Sequence, residues 1–200
     1  MLTKLEAVNI MLDAINESPV SSLTSGLPDA EKAERKLDEV SKEVQALGWH
    51  CNTDYDYSLA KDASGHILLA DTALRVDTVG KDKADNATPR VDTNDSARKL
   101  YDIKNQTFVW SKNLNCMVVW YSEFADVPSF TLQSYITYEA AVRFQESEMG
   151  SVARDALIVR NRDRAWSSLM DEETEESDDN PLDHAPDLNK WVRRDSPLLR

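Results

Sequence analysis

Leu5, Val8, Met11, Leu12 and Ile15 recur at three- and four-residue spacing, which gathers them on one stripe of a helix. Thr3 followed three residues later by Glu6 fits a capping box at its start, and Pro19 is read as its stop. After a turn punctuated by Gly26 and Pro28, a second stripe runs through Ala30, Ala33, Leu37, Val40, Val44 and Leu47. Charged residues cover its other side, as suits a helix of a small bundle. Gly48 stands where a left-handed C-cap is wanted, and Trp49 follows as a large apolar anchor.

Beyond His50 the period changes. Short apolar or β-branched runs at 51–59, 67–70, 74–79, 99–102, 107–110 and 117–121 are separated by turn-forming clusters, and they predict an antiparallel β region. The polar stretch 81–86 reads as an exposed loop tip. After Pro128 helical spacing returns, with Phe130, Leu132, Ile136, Ala140 and Phe144 on one side, widened by Tyr135, Tyr138 and Val142, and Gly150 as its end. A fourth helix is predicted over 152–170, carrying Val152, Ala156, Leu157, Val159, Trp166 and Leu169 beside Arg154, Arg160, Arg162 and Arg164. The pattern is that of an α+β protein.

Charge changes the picture at the end of the chain. The formal net charge is -13, which opposes tight wrapping of nucleic acid, because duplex binding neutralises phosphates with Lys and Arg. Asp171, Glu172, Glu173, Glu175, Glu176, Asp178 and Asp179 fall in ten residues without a base, and this run predicts a solvated tail beginning at residue 171. The final stretch differs: Leu188, Trp191, Val192, Leu198 and Leu199 with Arg193 and Arg194 read as an adhesive strip that docks on a partner.

Candidate chemistry is sparse. No stretch of about 18 apolar residues exists to span a membrane. The opening residues lead straight into a helical pattern and do not read as a secretion signal. Cys51 and Cys116 are expected as small buried hydrophobes, not as a disulfide. His50, His66 and His184 have no metal-ligand spacing, and neither a nucleophile elbow nor a phosphate-binding glycine loop is present. The expectation is therefore no catalytic residue, no cofactor and no metal. Asp54, Asp56, Asp92 and Asp95 lie in or near the β region, where two carboxylates could act on a glycosidic bond. Solvated surface carboxylates are the commoner outcome.

The order Val8-Asn9-x-x-Leu12-x-x-Ile15-x-Glu17-x-Pro19-Val20-x-x-Leu23 resembles the opening of the tail tubular protein A family of short-tailed lytic bacteriophages. Ala33 to Trp49, closing in Gln45-Ala46-Leu47-Gly48-Trp49, is similar to that family's second helix, and Asn52 keeps its polar residue. Lys99-Leu100-Tyr101-Asp102 with Thr107-Phe108 resembles its hairpin, and Val127-Pro128 through Gly150-Ser151 its returning helix. The matches cover roughly residues 5 to 170 in order; residues 71–95 and 171–200 carry none.

The resemblance implies a helical domain of residues 1–49 and 128–170 with an inserted antiparallel β subdomain of residues 50–127; from their charge and apolar pattern alone, residues 171–200 are expected to be an acidic spacer and C-terminal arm. The resemblance also implies a structural virion protein of the tail, assembled in the host cytoplasm. Copies form a homo-oligomeric ring of twelve between the portal protein and the tail nozzle protein, tail tubular protein B, with tail fibres near that joint and DNA passing through the lumen without specific binding. From their chemistry, Arg154, Arg160, Arg162, Arg164, Trp191, Arg193, Arg194, Leu198 and Leu199 are the expected subunit or portal contacts. The competing expectation is a tail-associated glycan hydrolase acting on host surface polysaccharide.

Overall fold

Helix α1, Lys4–Ala14, starts as its spelling requires: the Glu6 N–H donates to the Thr3 hydroxyl at 3.2 Å while the Glu6 carboxylate accepts from the Thr3 N–H at 2.8 Å. The computed structural model describes residues 1–80, 82, 86–148 and 152–176, with the side chains of 152–155 outside that description. The helix is not stopped by Pro19. Asn16 adopts φ +64°, its N–H donates to Asp13, and the Glu17 N–H reaches back to the Leu12 carbonyl at 3.0 Å. That is a Schellman end built on asparagine, which tolerates the left-handed region, so the helix closes three residues before the proline.

Helix α2, Pro28–Gln45, has proline at its first position, where the missing N–H would be unpaired anyway. Ala30, Ala33, Leu37, Val40 and Val44 are buried as the stripe predicts. Leu47 is not, because the helix ends two residues before it, at Gln45, and leaves it exposed. Gly48 takes φ +85°, and a Cβ there would meet Val119 Cγ2 at 3.0 Å, so both the turn and the close approach demand glycine.

A 3-10 turn, His50–Asn52, leads into β1, Thr53–Leu59. Then come β2 (Ala73–Thr78), β3 (Ala87–Val91), β4 (Arg98–Asp102) and β5 (Leu114–Trp120). One antiparallel sheet has the order β1-β5-β2, and β3 pairs with β4 in a second. β3 has no apolar run and holds Pro89 opposite Leu100, which a hairpin edge tolerates and a central strand does not. The runs 67–70 and 107–110 form only isolated bridges, His66 with Val109 and Leu68 with Lys99 among them. Their apolar side chains are still used: Ile67, Leu69 and Trp110 are buried, and the Trp110 indole donates to the Leu100 carbonyl at 3.0 Å. In the stretch 81–86 only Asp82 and Asn86 are described, and Asp82 is buried, so it does not sit at an exposed tip.

Helix α3, Phe130–Glu148, buries Leu132, Ile136, Ala140 and Phe144. Phe130, counted on that stripe, is instead 55% exposed at the first turn. The expected stop at Gly150 lies outside the described residues. Helix α4, Val152–Glu176, runs six residues past its predicted end at Met170, into the acid run. Acids at 172, 173 and 176 fall on one helical face and meet donors. Glu172 accepts from the Thr131 hydroxyl, Glu173 from the His50 N–H at 3.0 Å, and Glu176 faces the His50 imidazole. The tail expected from residue 171 therefore starts no earlier than 177, since Thr131 and His50, distant in sequence, anchor acids 172, 173 and 176.

Two hydrophobic clusters result. One joins α1, α2, α3 and Leu169 of α4 with Trp49, Phe124 and Val127; the other fills the β region around Ile67, Leu100, Trp110, Leu114, Cys116 and Val118. Two buried amides bind them where the chain crosses. The Asn52 amide donates to the carbonyls of Gln45 (3.0 Å) and Trp120 (2.8 Å) and accepts from the Trp49 N–H (2.8 Å). The Gln45 amide donates to the Ser122 carbonyl and accepts the Ser122 N–H, both at 2.9 Å.

Candidate interaction surface

The four aspartates of the β region are occupied by their own chain. Asp54 accepts from the Trp120 indole at 2.8 Å and Asp56 from the Asn115 amide at 2.7 Å. Asp92 and Asp95 both grip Lys99, at 2.9 and 2.5 Å, and the lysine stem is buried beneath them with its ammonium 5.9 Å from the Phe108 ring centroid. The Lys99 ammonium holds both carboxyls below the usual carboxylate range, and the two carboxylates raise the lysine in return, Asp95 most. A glycosidase acid needs its pKa raised, so this pair is tuned the wrong way for that task.

Cys116 is fully buried in the β cluster and Cys51 is half-buried against the helical one. Burial pushes both thiols up to about 11, Cys51 with help from Glu173 and Cys116 with help from Asp82. Neither is an activated nucleophile. Among the described residues no three His, Cys, Asp or Glu side chains gather into a metal-sized group, and no helix is long and apolar enough to cross a membrane.

The arginines of α4 divide. Arg162 donates to Asp163 at 2.7 Å and stands 3.8 Å from Glu139, which also binds Arg143; Arg143 in turn pairs with Glu43 of α2. This chain of charges ties α2, α3 and α4 together and uses Arg162 inside the subunit. Arg160 and Arg164 are exposed and make no ion pair among the described residues. The Arg154 side chain, and Trp191, Arg193, Arg194, Leu198 and Leu199, lie outside the described residues.

Around Arg164 the surface is grooved. Facing turns of α3 and α4 leave an open cleft of about 350 Å³ with Phe130, Ser134 and Tyr138 on one wall and Asn161, Ala165 and Ser168 on the other. The spacing 130, 134, 138 against 161, 165, 168 was readable as two helical faces. That they face each other across a gap was not, because it depends on how α4 tilts on α3. Leu157 is 62% exposed on α4, so the apolar side predicted for this helix is largely turned to solvent. Trp166 is 38% exposed; its ring lies tilted at 4.9 Å from the Tyr135 centroid and nearly perpendicular to Trp49 at 5.9 Å. An exposed stripe of this kind beside free cations has the composition of a protein-binding face.

A family model described as tail tubular protein matches residues 5–179, and the chain belongs to the tail tubular protein family. No curated protein sequence matches it. Membership makes the chain a structural component of a bacteriophage tail that works in contact with other tail proteins.

Proposed function

We propose that this tail tubular protein is the ring-forming adaptor that joins the portal protein to the tail nozzle protein and lines part of the channel through which DNA is ejected. Family membership over residues 5–179 carries the reading. The net charge of -13 supports it, because a conduit that repels phosphates does not grip what it must release. In this reading residues 1–49 and 128–170 form the helical wall of a homo-oligomeric ring, twelve copies by resemblance to the tail tubular protein A family. Residues 50–127 form the β insertion, and the arm at the C-terminus docks on a neighbour or the portal through Trp191, Arg193, Arg194, Leu198 and Leu199. Tail fibres attach near the joint, and assembly takes place in the host cytoplasm.

Arg160 and Arg164, with Arg154 on the same helix, are the subunit or portal contacts of this proposal; Arg162 is already committed within the chain. Negative-stain imaging of the purified protein, alone and mixed with portal, tests the class. Rings that loosen as salt is raised are expected. The adaptor reading fails if neither sample contains rings, and the charge-pair contact fails if rings survive both high salt and Arg160→Glu with Arg164→Glu. Deleting residues 186–200 is expected to leave a folded subunit that does not assemble tails; normal assembly by that truncation refutes the arm.

A further inference from the structure

Strand β1 is an edge of the sheet β1-β5-β2, and every residue from Asp54 to Ser58 is exposed. Its pairing with β5 slips in the middle: Asp54 lies opposite Val118 and Tyr57 opposite Cys116, so Tyr55 and Asp56 share the single position at Met117. Asp56 takes φ +60°, a conformation that most side chains avoid. A bulge of this kind re-aims side chains and interrupts regular pairing along an edge. Tyr57 packs edge-on against Trp120 at 5.5 Å, whereas Tyr55 is 66% exposed and has no ring partner among the described residues. Beside it, the Asp56 carboxylate accepts from the Asn115 amide through one oxygen, and no other donor reaches it among the described residues. The bulge thus presents an aromatic knob with an anion at its base.

The α3/α4 groove is the matching hollow. Phe130 and Tyr138 give it aromatic walls, Ala165 a small floor and Arg164 a cation at the rim, while Ser134 and Asn161 offer hydrogen-bonding groups to a phenol. At about 350 Å³ it admits one large side chain with its flanks and not a globular surface. Phe130 is as exposed as Tyr55 is, so neither is covered within its own subunit.

Complementarity selects the occupant. An aromatic group with an anion beside it faces an aromatic cleft with a cation beside it, and tyrosine and arginine are the residue types that most often anchor protein interfaces. Knob and groove are unlike patches of one chain, so a contact between copies is head to tail and repeats until its rotation closes. We propose that Tyr55 of one copy enters the α3/α4 groove of a second copy, its phenol between Phe130 and Tyr138 and the adjoining Asp56 carboxylate against Arg164. The proposal rests on the ring reading above and names the contact that closes the ring.

Two variants at exposed positions test it: Tyr55→Ala removes the knob, and Arg164→Glu with Ser168→Trp reverses the rim and fills the groove. Sedimentation and negative-stain imaging follow the wild type, each variant and their equimolar mixture, alone and with portal. Each variant by itself is expected to weaken self-association by about thirtyfold or more. The mixture is expected to form pairs and nothing larger, because one intact knob meets one intact groove; the pairs also show that both variants are folded. Rings of wild-type strength from either variant overturn the contact, as does a mixture that stays monomeric or builds larger species. Wild-type protein that forms no rings in either sample overturns the ring reading and this contact with it, whereas wild-type rings beside any of those variant results overturn the contact alone.

Discussion

Asn9 and Val20 hold each other by two hydrogen bonds: the Asn9 amide donates to the Val20 carbonyl at 3.0 Å and accepts the Val20 N–H at 2.8 Å. Both belong to the opening pattern by which the chain resembles its family, and the bonds explain the pairing. After the Asn16 turn the chain must return along α1, and Asn9 serves the one backbone unit at which Val20 is buried. Asn9→Ala leaves that N–H and C=O without their partner and is expected to cost about 1–3 kcal/mol, read by urea unfolding. Pro19→Ala should change little, since Asn16 already ends the helix. An equal loss from both variants would show that the proline, not the amide, sets this turn.

Asn16 itself offers a sharper probe. A β-branched residue at φ +64° is strained by roughly 1–2 kcal/mol, whereas glycine is not. Asn16→Val should therefore lower the melting temperature and Asn16→Gly should hold or raise it.

Asn52→Ala removes three hydrogen bonds that join the end of α2 to β1 and β5. A loss of about 3 kcal/mol is expected, with early change in the near-ultraviolet signal of the adjoining Trp49. Asn52→Asp keeps only the acceptor toward Trp49 and should fall near the alanine variant.

The Lys99 cluster sets a pH dependence. Asp92 and Asp95 have folded-state values below their unfolded value of about 3.9, so their contribution is present above that value and is lost as pH falls through the depressed values. Lys99 is raised, so its contribution is fully present below about 10.4 and is lost as pH rises through its folded value. The stability difference between the wild type and Lys99→Met should be flat from about pH 5 to 9 and change at both ends. A difference that varies through neutral pH would assign the effect to other groups.

Thiol labelling checks the cysteine environments. With both thiols pushed up to about 11 by burial, iodoacetamide at pH 8 should modify Cys116 only on global unfolding and Cys51 only slowly, on local opening near Glu173. Rapid modification of native Cys116 would contradict the β core described for it.

Which of these features could be read from the chain alone follows from the range of the forces involved. The capping box at Thr3 and Glu6, the buried stripes of α1 and α2 and the left-handed Gly48 are legible, because each depends on residues within about one or two helical turns. The chain also spelled its family, since Asn9 and Val20 stand in a fixed order. Other features needed partners far along the sequence. β3 exists because β4 offers it a ladder, and α4 continues into the acid run because Thr131 and His50 supply donors to Glu172 and Glu173. Arg162 is spent inside the subunit because α3 brings Glu139 within reach, while Arg164 is left at a groove that forms only when α3 and α4 lie side by side. Periodicity tells which side of a helix is apolar; only the packing of the helices decides whether that side is covered, and at Phe130 and Leu157 it is not.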